Sequence, residues 1–434
     1  MHDAYLAILL NKCAIPVTRY DLHLKRRGIK SSTKRSGIIL GSILLLGMLG
    51  YFIWQQNTTP PASASFQLQY EGPIVITKGG TYTGNWESKD AEVSAVEIKT
   101  SEPVIILNSN IRGAGRLIRS QGYAADIQVY NTYGYGITPT PWKEYKKPRN
   151  FLVVDVFRNI VVEHCYIENA AGINLGVSYE GNGSPQETVK IRYNKVRNID
   201  GRVHDGWAIV NFVGLNFRNP IRHAEIAWNQ VINEPDESVV EDNINIYNTR
   251  GLPDSPIRIH NNYIQGAFPL PSSESNYTGG GILSDSPGTD STQATAHLEI
   301  YRNQLVGLGG YCIGIAGGNN IKVYNNRMVV AARHSNDSLY TFWTSGVWAK
   351  DYYQTKSTYA NTMHHNTIAV VGKTGTWRND IVDDSIIAAN LFSNTVLADQ
   401  VTKSMEKKEF EHWENKLRQN KIKIGPLASM KQKH

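Results

Sequence analysis

Residues 296–330, with the sequence AHLEIYRNQLVGLGGYCIGIAGGNNIKVYNNRMVV, contain one short pattern twice. The segment LEIYRNQL at 298–305 returns as IKVYNNRM at 321–328. In each copy apolar and polar residues alternate, an asparagine ends the alternation, and an apolar residue follows shortly after it. Alternation of this kind is typical of a β-strand with one buried face. The stretch therefore predicts short strands that are separated by turns at asparagine.

The same pattern recurs along most of the chain, and its marked positions are 21 to 41 residues apart. The further copies are VIILNSNI (104–111), IQVYNTY (127–133), IVVEHCYI (160–167), VKIRYNKV (189–196), AEIAWNQV (224–231), IRIHNNYI (257–264), YANTMHHNTI (359–368) and IIAANLF (386–392). Stacked coils permit such irregular spacing, because each coil rests only on its neighbours and inserted residues bulge outward as loops. We therefore predict a solenoid of stacked β-coils.

The repeated asparagine is predicted to form a structural ladder. Asparagine tolerates the left-handed backbone of a tight turn, and its amide can donate to one stacked neighbour and accept from the other. Cysteine replaces it once, as a small buried residue. The predicted ladder positions are Asn110, Asn131, Cys165, Asn194, Asn229, Asn262, Asn303, Asn326, Asn366 and Asn390.

With these repeats, and with "GI" strands such as Gly172-Ile173-Asn174-Leu175, the chain resembles the right-handed parallel β-helix superfamily, the pectin-lyase-like fold. The resemblance covers roughly residues 66–399. It implies an all-β right-handed parallel β-helix of about ten coils, which we assign to residues 66–400. Because this fold hosts many activities, the resemblance leaves the function open.

The two ends of the chain differ from this body in charge and hydropathy. Residues 1–36 carry a net charge of +6 and residues 401–434 a net charge of +5, so the total of +7 leaves −4 for residues 37–400. This distribution argues against a nucleic-acid surface on the repeats. The charged segment 401–434 also contains regularly spaced apolar residues and is predicted to be partly helical.

An uncharged apolar segment, IILGSILLLGMLGYFIW at 38–54, follows the basic N-terminal residues. We predict a signal-anchor transmembrane helix over 37–54, preceded by a cytoplasmic segment at 1–36 and followed by a linker at 55–65. The positive-inside rule then places the β-helix in the periplasm or outside the cell, on a single-pass membrane protein. A cleaved signal peptide is the alternative, because Ala62-Ser63-Ala64 fits a cleavage site.

In the superfamily that the chain resembles, the active groove runs along the strands that follow the turn opposite the asparagine ladder, which implies candidate chemistry on the corresponding strands here. Aligning their first inward residues, with Trp207 and Ile244 among them, places Asp205 and Asp242 on adjacent coils, their backbones about 5 Å apart. His204 and Glu241 stack one place earlier by the same alignment. The full set of aligned inward residues is Ile173, Trp207, Ile244, Ile282, Ile313 and Val347. The outward positions, together with a nearby arginine, are predicted to bind substrate: Asn245, Tyr247, Arg250, Asp285, Trp348 and Lys350.

Two adjacent carboxylates repel each other, and three arrangements would stabilise them. They can share a proton and act as general acid and base in glycoside hydrolysis. A calcium ion can lie between them, since calcium prefers oxygen ligands. Alternatively Arg202 or Arg250 neutralises them, and the pair is structural.

The sequences "HDG" at 204–206 and "EDN" at 241–243 resemble the aspartate segments of polygalacturonases. The Gly-His-Gly and Arg-Ile-Lys segments of that family are missing, since the next coil has Gly279-Gly280-Gly281. Pectate lyases use arginine or lysine as a base with calcium, and the possible equivalents here are Arg218, Arg222, Arg250 and Lys350.

The sequence thus predicts a protein that acts on or binds polysaccharide. In the first hypothesis it is a glycoside hydrolase or polysaccharide lyase that uses Asp205 and Asp242, with His204 and Glu241 beside them. In the alternative it is a non-catalytic surface protein for glycan binding or adhesion. No cofactor is indicated besides the possible calcium. The long loops 266–281 and 332–345 are expected to wall a groove at this column.

Overall fold

The computed structural model describes residues 68–138, 143, 145–287, 290–383 and 388–427. These residues form thirty-four β-strands, β1 to β34 in chain order, and one α-helix. The predicted cytoplasmic segment, anchor helix and linker at 1–36, 37–54 and 55–65 lie outside the described residues. Within the described residues, no helix combines the length and the apolar character needed to cross a membrane.

Almost all strands pair in parallel, and successive turns of the chain stack them into three ladders. The first ladder contains β1 (Ile74–Ile76), β4 (Val96–Ile98), β7 (Ile118–Ser120), β10 (Asn150–Glu163), β12 (Ala171–Tyr179), β17 (Val213–Arg218), β20 (Asp242–Tyr247), β23 (Gly280–Asp285), β26 (Ile313–Ile315), β29 (Val347–Ala349) and β32 (Ile381–Asp383).

The second ladder shares the long strand β10, which joins the first two ladders into one 21-stranded sheet. Its other members are β2 (Gly80–Tyr82), β5 (Val104–Leu107), β8 (Ala125–Tyr130), β13 (Val189–Arg192), β18 (Glu225–Ala227), β21 (Ile257–His260), β24 (Ala296–Tyr301), β27 (Asn319–Tyr324), β30 (Thr362–His364) and β33 (Asn390–Phe392).

The third ladder is a separate 11-stranded sheet. It contains β3 (Asn85–Ser88), β6 (Asn110–Gly113), β9 (Tyr133–Gly136), β11 (Tyr166–Glu168), β14 (Lys195–Arg197), β19 (Gln230–Ile232), β22 (Tyr263–Ala267), β25 (Gln304–Leu308), β28 (Arg327–Val330), β31 (Thr367–Val370) and β34 (Thr395–Val396). The prediction of an all-β chain of stacked parallel strands is confirmed for the described residues.

The core lies between the ladders and consists of like residues stacked on like. On the second ladder, parallel register places one buried apolar residue of each coil directly on that of the next. Fully burying one such aliphatic side chain contributes about 2 kcal/mol. One column runs through Ile191, Ile226, Ile259, Ile300, Val323 and Met363, all of them inaccessible to solvent. The apolar residues of the alternating sequence pattern are therefore the residues that point into the core.

The asparagine ladder connects the second ladder to the third. Each ladder side chain accepts from both the backbone N–H and the amide of the coil before it; Asn262 Oδ1 accepts from Asn229 N at 3.0 Å and from Asn229 Nδ2 at 2.9 Å. Cys165 holds the same position, since its N–H donates to Asn194 Oδ1 at 2.9 Å. The left-handed residue is the one before the ladder position, as at Trp228 with φ 58°.

Three of the predicted ladder positions are wrong, because Asn110, Asn131 and Asn390 lie outside the hydrogen-bonded ladder. Ser109 and Thr132 occupy the ladder position in the early coils, because their carbonyls accept from the start of the next third-ladder strand as that of Cys165 does. Asn110 therefore lies one residue beyond the ladder, and Asn131 (φ 51°) one residue before it. At the other end the ladder continues through Asn394 instead of Asn390, since Asn366 Nδ2 donates to Asn394 Oδ1 at 2.9 Å.

The C-terminal segment is helical, as predicted, and forms α1 (Lys403–Gln419). The helix packs along the side of the third ladder. Trp413 is fully buried there beside Tyr263, with ring centroids 5.9 Å apart, and its indole N–H donates to Gln230 at 3.0 Å. Arg327 bonds to Glu409 of the helix at 2.6 Å. The helix thereby covers Tyr263 and Val306 of the third ladder.

Candidate active site

The first ladder sets the register of the candidate site. Residue pairing runs from Ile173 to Val213 and from Val213 to Ile244, so Val213 is the inward residue of the coil that we aligned on Trp207. Trp207 is 49 % exposed. The sequence alignment failed here because residues 202–207 form an inserted antiparallel hairpin, β15 (Arg202–Val203) with β16 (Gly206–Trp207), ahead of β17.

The predicted neighbours Asp205 and Asp242 are therefore not stacked on one another. Asp205 lies in the turn of the hairpin with φ 64°, and its side chain is 83 % exposed and 3.1 Å from His204 Nε2. Asn211 takes the position beside Asp242 and donates to the Asp242 carbonyl at 2.7 Å. The predicted pairing of Asp205 with Asp242 on adjacent coils is wrong, because Asp205 lies in the hairpin and not on the first ladder. His204 belongs to the same hairpin and does not stack on Glu241.

The arginines that we expected near the pair have other partners. Arg202 binds Asp200 in a bidentate arrangement at 2.9 and 2.8 Å, and the buried Arg149 pairs with the same carboxylate. Arg250 donates to the carbonyls of Ser291 and Thr292 at 2.8 and 2.5 Å, in the loop that precedes β24. Neither arginine neutralises Asp242 in these contacts.

Three carboxyl groups come together on the first ladder, and only two of them belong to the predicted catalytic set. Asp242 begins β20, Glu241 precedes it, and Asp285 ends the adjacent strand β23. Asn245 links them: its amide donates to Asp242 Oδ2 at 2.9 Å and also bonds to Asp285. We call Glu241, Asp242, Asp285 and Asn245 the carboxyl cluster.

Tyr311 is a part of this site that sequence reasoning missed. Its hydroxyl donates to Asp242 Oδ1, although the two residues are two coils apart. Gly280 pairs with Asp242 on the intervening coil, and a β-carbon at Gly280 would lie 2.7 Å from the Tyr311 ring. The absence of a side chain at Gly280 thus lets Tyr311 cross that coil. The sequence does contain this signal, because Asp242, Gly280 and Tyr311 occupy one column of the alignment.

Burial dominates the electrostatics of the cluster. It raises the pKa of Asp242 to about 8, with a further contribution from the charge of Glu241, against the hydrogen bonds from Tyr311 and Asn245. Burial also raises the pKa of Glu241, which the hydrogen bond from Thr278 opposes. The pKa of Asp285 rises for the same reason. The cluster therefore retains protons at a pH where ordinary carboxyl groups are ionised.

Several buried polar atoms of this region lack a hydrogen-bond partner among the described residues. They are Glu241 Oε2, Asp285 Oδ1, Asn245 Oδ1 and the indole nitrogen of Trp348. Asp285 is only 7 % exposed, so its unpartnered oxygen is withdrawn from water. Unsatisfied buried polar atoms are costly, and their concentration at one place is typical of a functional site.

An aromatic wall adjoins the cluster. The rings of Tyr311 and Trp348 meet nearly at right angles, with centroids 5.5 Å apart, and Trp348 and Tyr353 pack against the cluster of Leu283, Tyr311 and Ala316. Gly314 pairs with Trp348 in register, and a β-carbon there would lie 2.8 Å from the indole. The Trp348 ring therefore lies directly over the backbone of the preceding coil.

The two long loops, 266–281 and 332–345, contact each other, and the first of them also contacts Glu241. Thr278 donates to Glu241 Oε1 at 2.8 Å, and the Tyr277 hydroxyl donates to the Val240 carbonyl at 2.7 Å. Thr341 of the second loop donates to the Ser273 carbonyl at 2.9 Å. A cavity of about 360 Å³ lies between these loops and is lined by residues such as Asp236 and His334, so it is beside the carboxyl cluster, not over it.

The other predicted substrate-binding residues are on the same ladder. Tyr247 pairs in register with Asp285 and is half-buried. Lys350 directly follows β29 and is exposed. The described residues contain no group of three or more His, Cys, Asp or Glu placed to hold a metal ion.

Comparison of the sequence with protein-family models and with curated protein sequences gives no match.

Proposed function

We propose that this chain is a membrane-anchored right-handed parallel β-helix protein of the pectin-lyase-like class, which hydrolyses polysaccharide at the carboxyl cluster. The observation that carries the proposal is the half-buried Glu241, whose pKa is raised and whose buried Oε2 atom has no partner among the described residues. A flat parallel sheet with polar and aromatic outward residues suits an extended glycan, because sugar rings stack on aromatic faces.

The chemistry follows from the states of the three acids. A carboxyl group that keeps its proton near neutral pH is the general acid that glycoside hydrolysis needs. We assign this role to Glu241, which protonates the glycosidic oxygen while water attacks the anomeric carbon. Asp285 accepts the proton of that water. Asp242, bonded to Tyr311 and Asn245, positions the amide that links it to Asp285.

Hydrolysis is favoured over elimination by the charge of the site. A lyase needs a base at the sugar and a cation to stabilise the developing carboxylate, as calcium does in the pectate lyases that we considered above. The hydrogen-bond donors to the cluster include the Tyr311, Thr278 and Tyr353 hydroxyls and the Asn245 amide, and all four are neutral. A uronate would bring a further carboxylate to acids whose burial and mutual repulsion already disfavour the ionised form, which disfavours a uronate substrate.

A non-catalytic glycan-binding protein is the second candidate. It is favoured by one observation: Asp242 is 2 % exposed and both of its oxygens accept hydrogen bonds. A carboxyl group in that state is typical of a structural role. Binding would then depend on Trp348 and Asn245, and no bond of the glycan would be cleaved.

The test uses the full-length chain, purified with a sugar-free detergent, on a panel of neutral, acidic and amino polysaccharides. Release of reducing ends is measured for the wild type, Glu241→Gln and a matched control, Glu414→Gln, whose carboxylate is exposed on α1. We expect hydrolysis by the wild type and the control, and a loss of 100-fold or more, about the worth of a general acid, in Glu241→Gln. Binding without cleavage would establish the second candidate.

Asp205→Asn distinguishes the structural register from the sequence alignment. Asp205 lies in the exposed turn of the hairpin, so this variant should keep full activity. An activity loss equal to that of Glu241→Gln would support the predicted pair of Asp205 and Asp242 and would overturn our assignment of the carboxyl cluster as the active site.

A further inference from the structure

We infer that the corner formed by Asp285, Trp348 and Tyr353 recognises the ammonium group of an amino sugar, so that the polymer bound contains hexosamine units with a free amine. This rests on the proposed function for the polymer, but its argument uses a different part of the site from the general acid Glu241.

The first argument is the unmatched oxygen of Asp285. Its Oδ1 atom is buried without a hydrogen-bond partner among the described residues, in a side chain that is 7 % exposed. The other interactions of the carboxyl group are with the Tyr353 hydroxyl, the Ser286 backbone and the Asn245 amide. A charged donor that fits beside Asp285 would form the strongest type of hydrogen bond available to this oxygen.

The second argument is the aromatic surface at the same corner. Trp348 and Tyr353 pack against the cluster of Leu283, Tyr311 and Ala316, of which Leu283 lies two residues before Asp285 on β23, and Tyr311 meets Trp348 edge to face. A carboxylate with aromatic rings on its flank is the arrangement that binds ammonium groups, because the ring faces carry partial negative charge.

The third argument separates an amino sugar from other ligands. Among the described residues, the indole N–H of Trp348 is a buried donor without a partner, and Asn245 Oδ1 is a buried acceptor without one. A hexosamine carries an ammonium group for the carboxylate and hydroxyl groups for both of these atoms. A uronate would add a further negative charge beside three carboxyl groups, and a neutral sugar offers no cation to the ionised form of Asp285.

Binding of a cation at this corner has a measurable consequence for protons. Burial raises the pKa of Asp285, and an ammonium group beside the carboxyl group favours its ionised form, so binding lowers that pKa and releases any proton that the site holds. The ionised Asp285 then serves as the base, and its charge keeps the pKa of Glu241 high. Proton release on binding therefore accompanies an amino sugar but not a neutral sugar.

The experiment compares three hexasaccharides by isothermal titration calorimetry on the full-length protein: glucosamine, N-acetylglucosamine and galacturonic acid. Each titration is run in two buffers that differ in ionisation enthalpy, which gives the number of protons released. We expect the glucosamine hexamer to bind roughly tenfold tighter than its N-acetylated counterpart, the value of one charge-assisted hydrogen bond, and to release protons.

Variants separate this inference from the proposed hydrolysis. Asp285→Asn and, independently, Trp348→Leu should abolish the preference for the free amine, whereas Glu241→Gln should keep the preference and lose turnover. Equal affinity for the two glucosamine polymers, or an amine preference that persists in Asp285→Asn, overturns the inference. If a neutral glycan is cleaved in a Glu241-dependent manner without any amine preference, the proposed function stands and the inference fails.

A lysine peptide is the other source of ammonium groups. Hexalysine serves as the probe for it, since a protein partner would be bound through the same chemistry. An Asp285-dependent affinity for hexalysine above that for the glucosamine hexamer would assign the corner to a protein and overturn the amino-sugar inference.

Discussion

Replacement of Asn262 by alanine tests the asparagine ladder on which the stacked coils depend. The Asn262 side chain takes part in four hydrogen bonds: it accepts from Asn229 N and Nδ2 at 3.0 and 2.9 Å, and it donates to Ile226 O and Asn303 Oδ1 at 2.9 Å each. Every one of these partners is buried. The variant removes all four bonds and puts no polar group in their place.

The magnitude follows from the groups that are left without a partner. The Asn229 backbone N–H loses its acceptor, and the Ile226 carbonyl loses the amide that donated to it. Each unsatisfied buried group costs about 1–3 kcal/mol, so Asn262→Ala should lower the free energy of unfolding by roughly 2–6 kcal/mol. Urea denaturation, followed by circular dichroism, measures the change in the transition midpoint at constant slope.

Asn390→Ala is the matched control, because the sequence assigned Asn390 to the ladder and the structure places it on an exposed edge strand. Its substitution should change the free energy of unfolding by less than about 0.5 kcal/mol. Equal destabilisation by the two substitutions, or none from Asn262→Ala, would refute the hydrogen-bonded column as a source of stability.

Three further predictions concern the helix, a buried acid and the aromatic wall. Trp413→Ala should cost about 3–5 kcal/mol, since the indole is fully buried, and limited proteolysis should then cleave within α1; an unchanged cleavage pattern would contradict the packing. The hydrogen bond from His260 lowers the pKa of Glu225 to about 2. Glu225 therefore stabilises the fold above its unfolded pKa. This stability, about 2 kcal/mol after screening, is lost as the pH falls from about 4.5 to about 2. Glu225→Gln should flatten the stability profile in that range, and an unaltered acid transition would disprove the assignment. Gly314→Ala should displace Trp348, which is measured as a shift of its fluorescence maximum and as weaker glycan binding; tight binding with unshifted fluorescence would show that the ring does not need the close approach.

The repeat pattern was sufficient for the fold class because strand periodicity and turn chemistry are local. Alternating residues such as Ile259 and Ile300 show which face is buried, and Asn303 or Asn326 marks each turn. The same local reasoning placed Glu241 and Asp242 at the start of a first-ladder strand, where the structure has them.

Local reasoning failed where an insertion interrupts a coil. The "HDG" segment has the composition of a first-ladder strand, yet it forms a hairpin, and the true strand begins at Val213. The sequence alignment contains no information on insertions, and it therefore assigned Asp205 to the site incorrectly. Tyr311 was missed because its contact with Asp242 crosses a whole coil, which requires knowledge of the empty position at Gly280.

The amino-acid sequence by itself determined that short strands alternate inward and outward, that asparagines stack between them, and that the coils contribute acids and aromatic residues to one face. These properties depend on neighbours within a few residues, or on a repeat that is visible in the chain. Only the tertiary structure decided which residues share a level of the stack, because an inserted hairpin moves its own residues out of the register that the strands on either side of it keep. It thereby selected Asp285 and Tyr311 as partners of Asp242 and placed Asp205 in solvent.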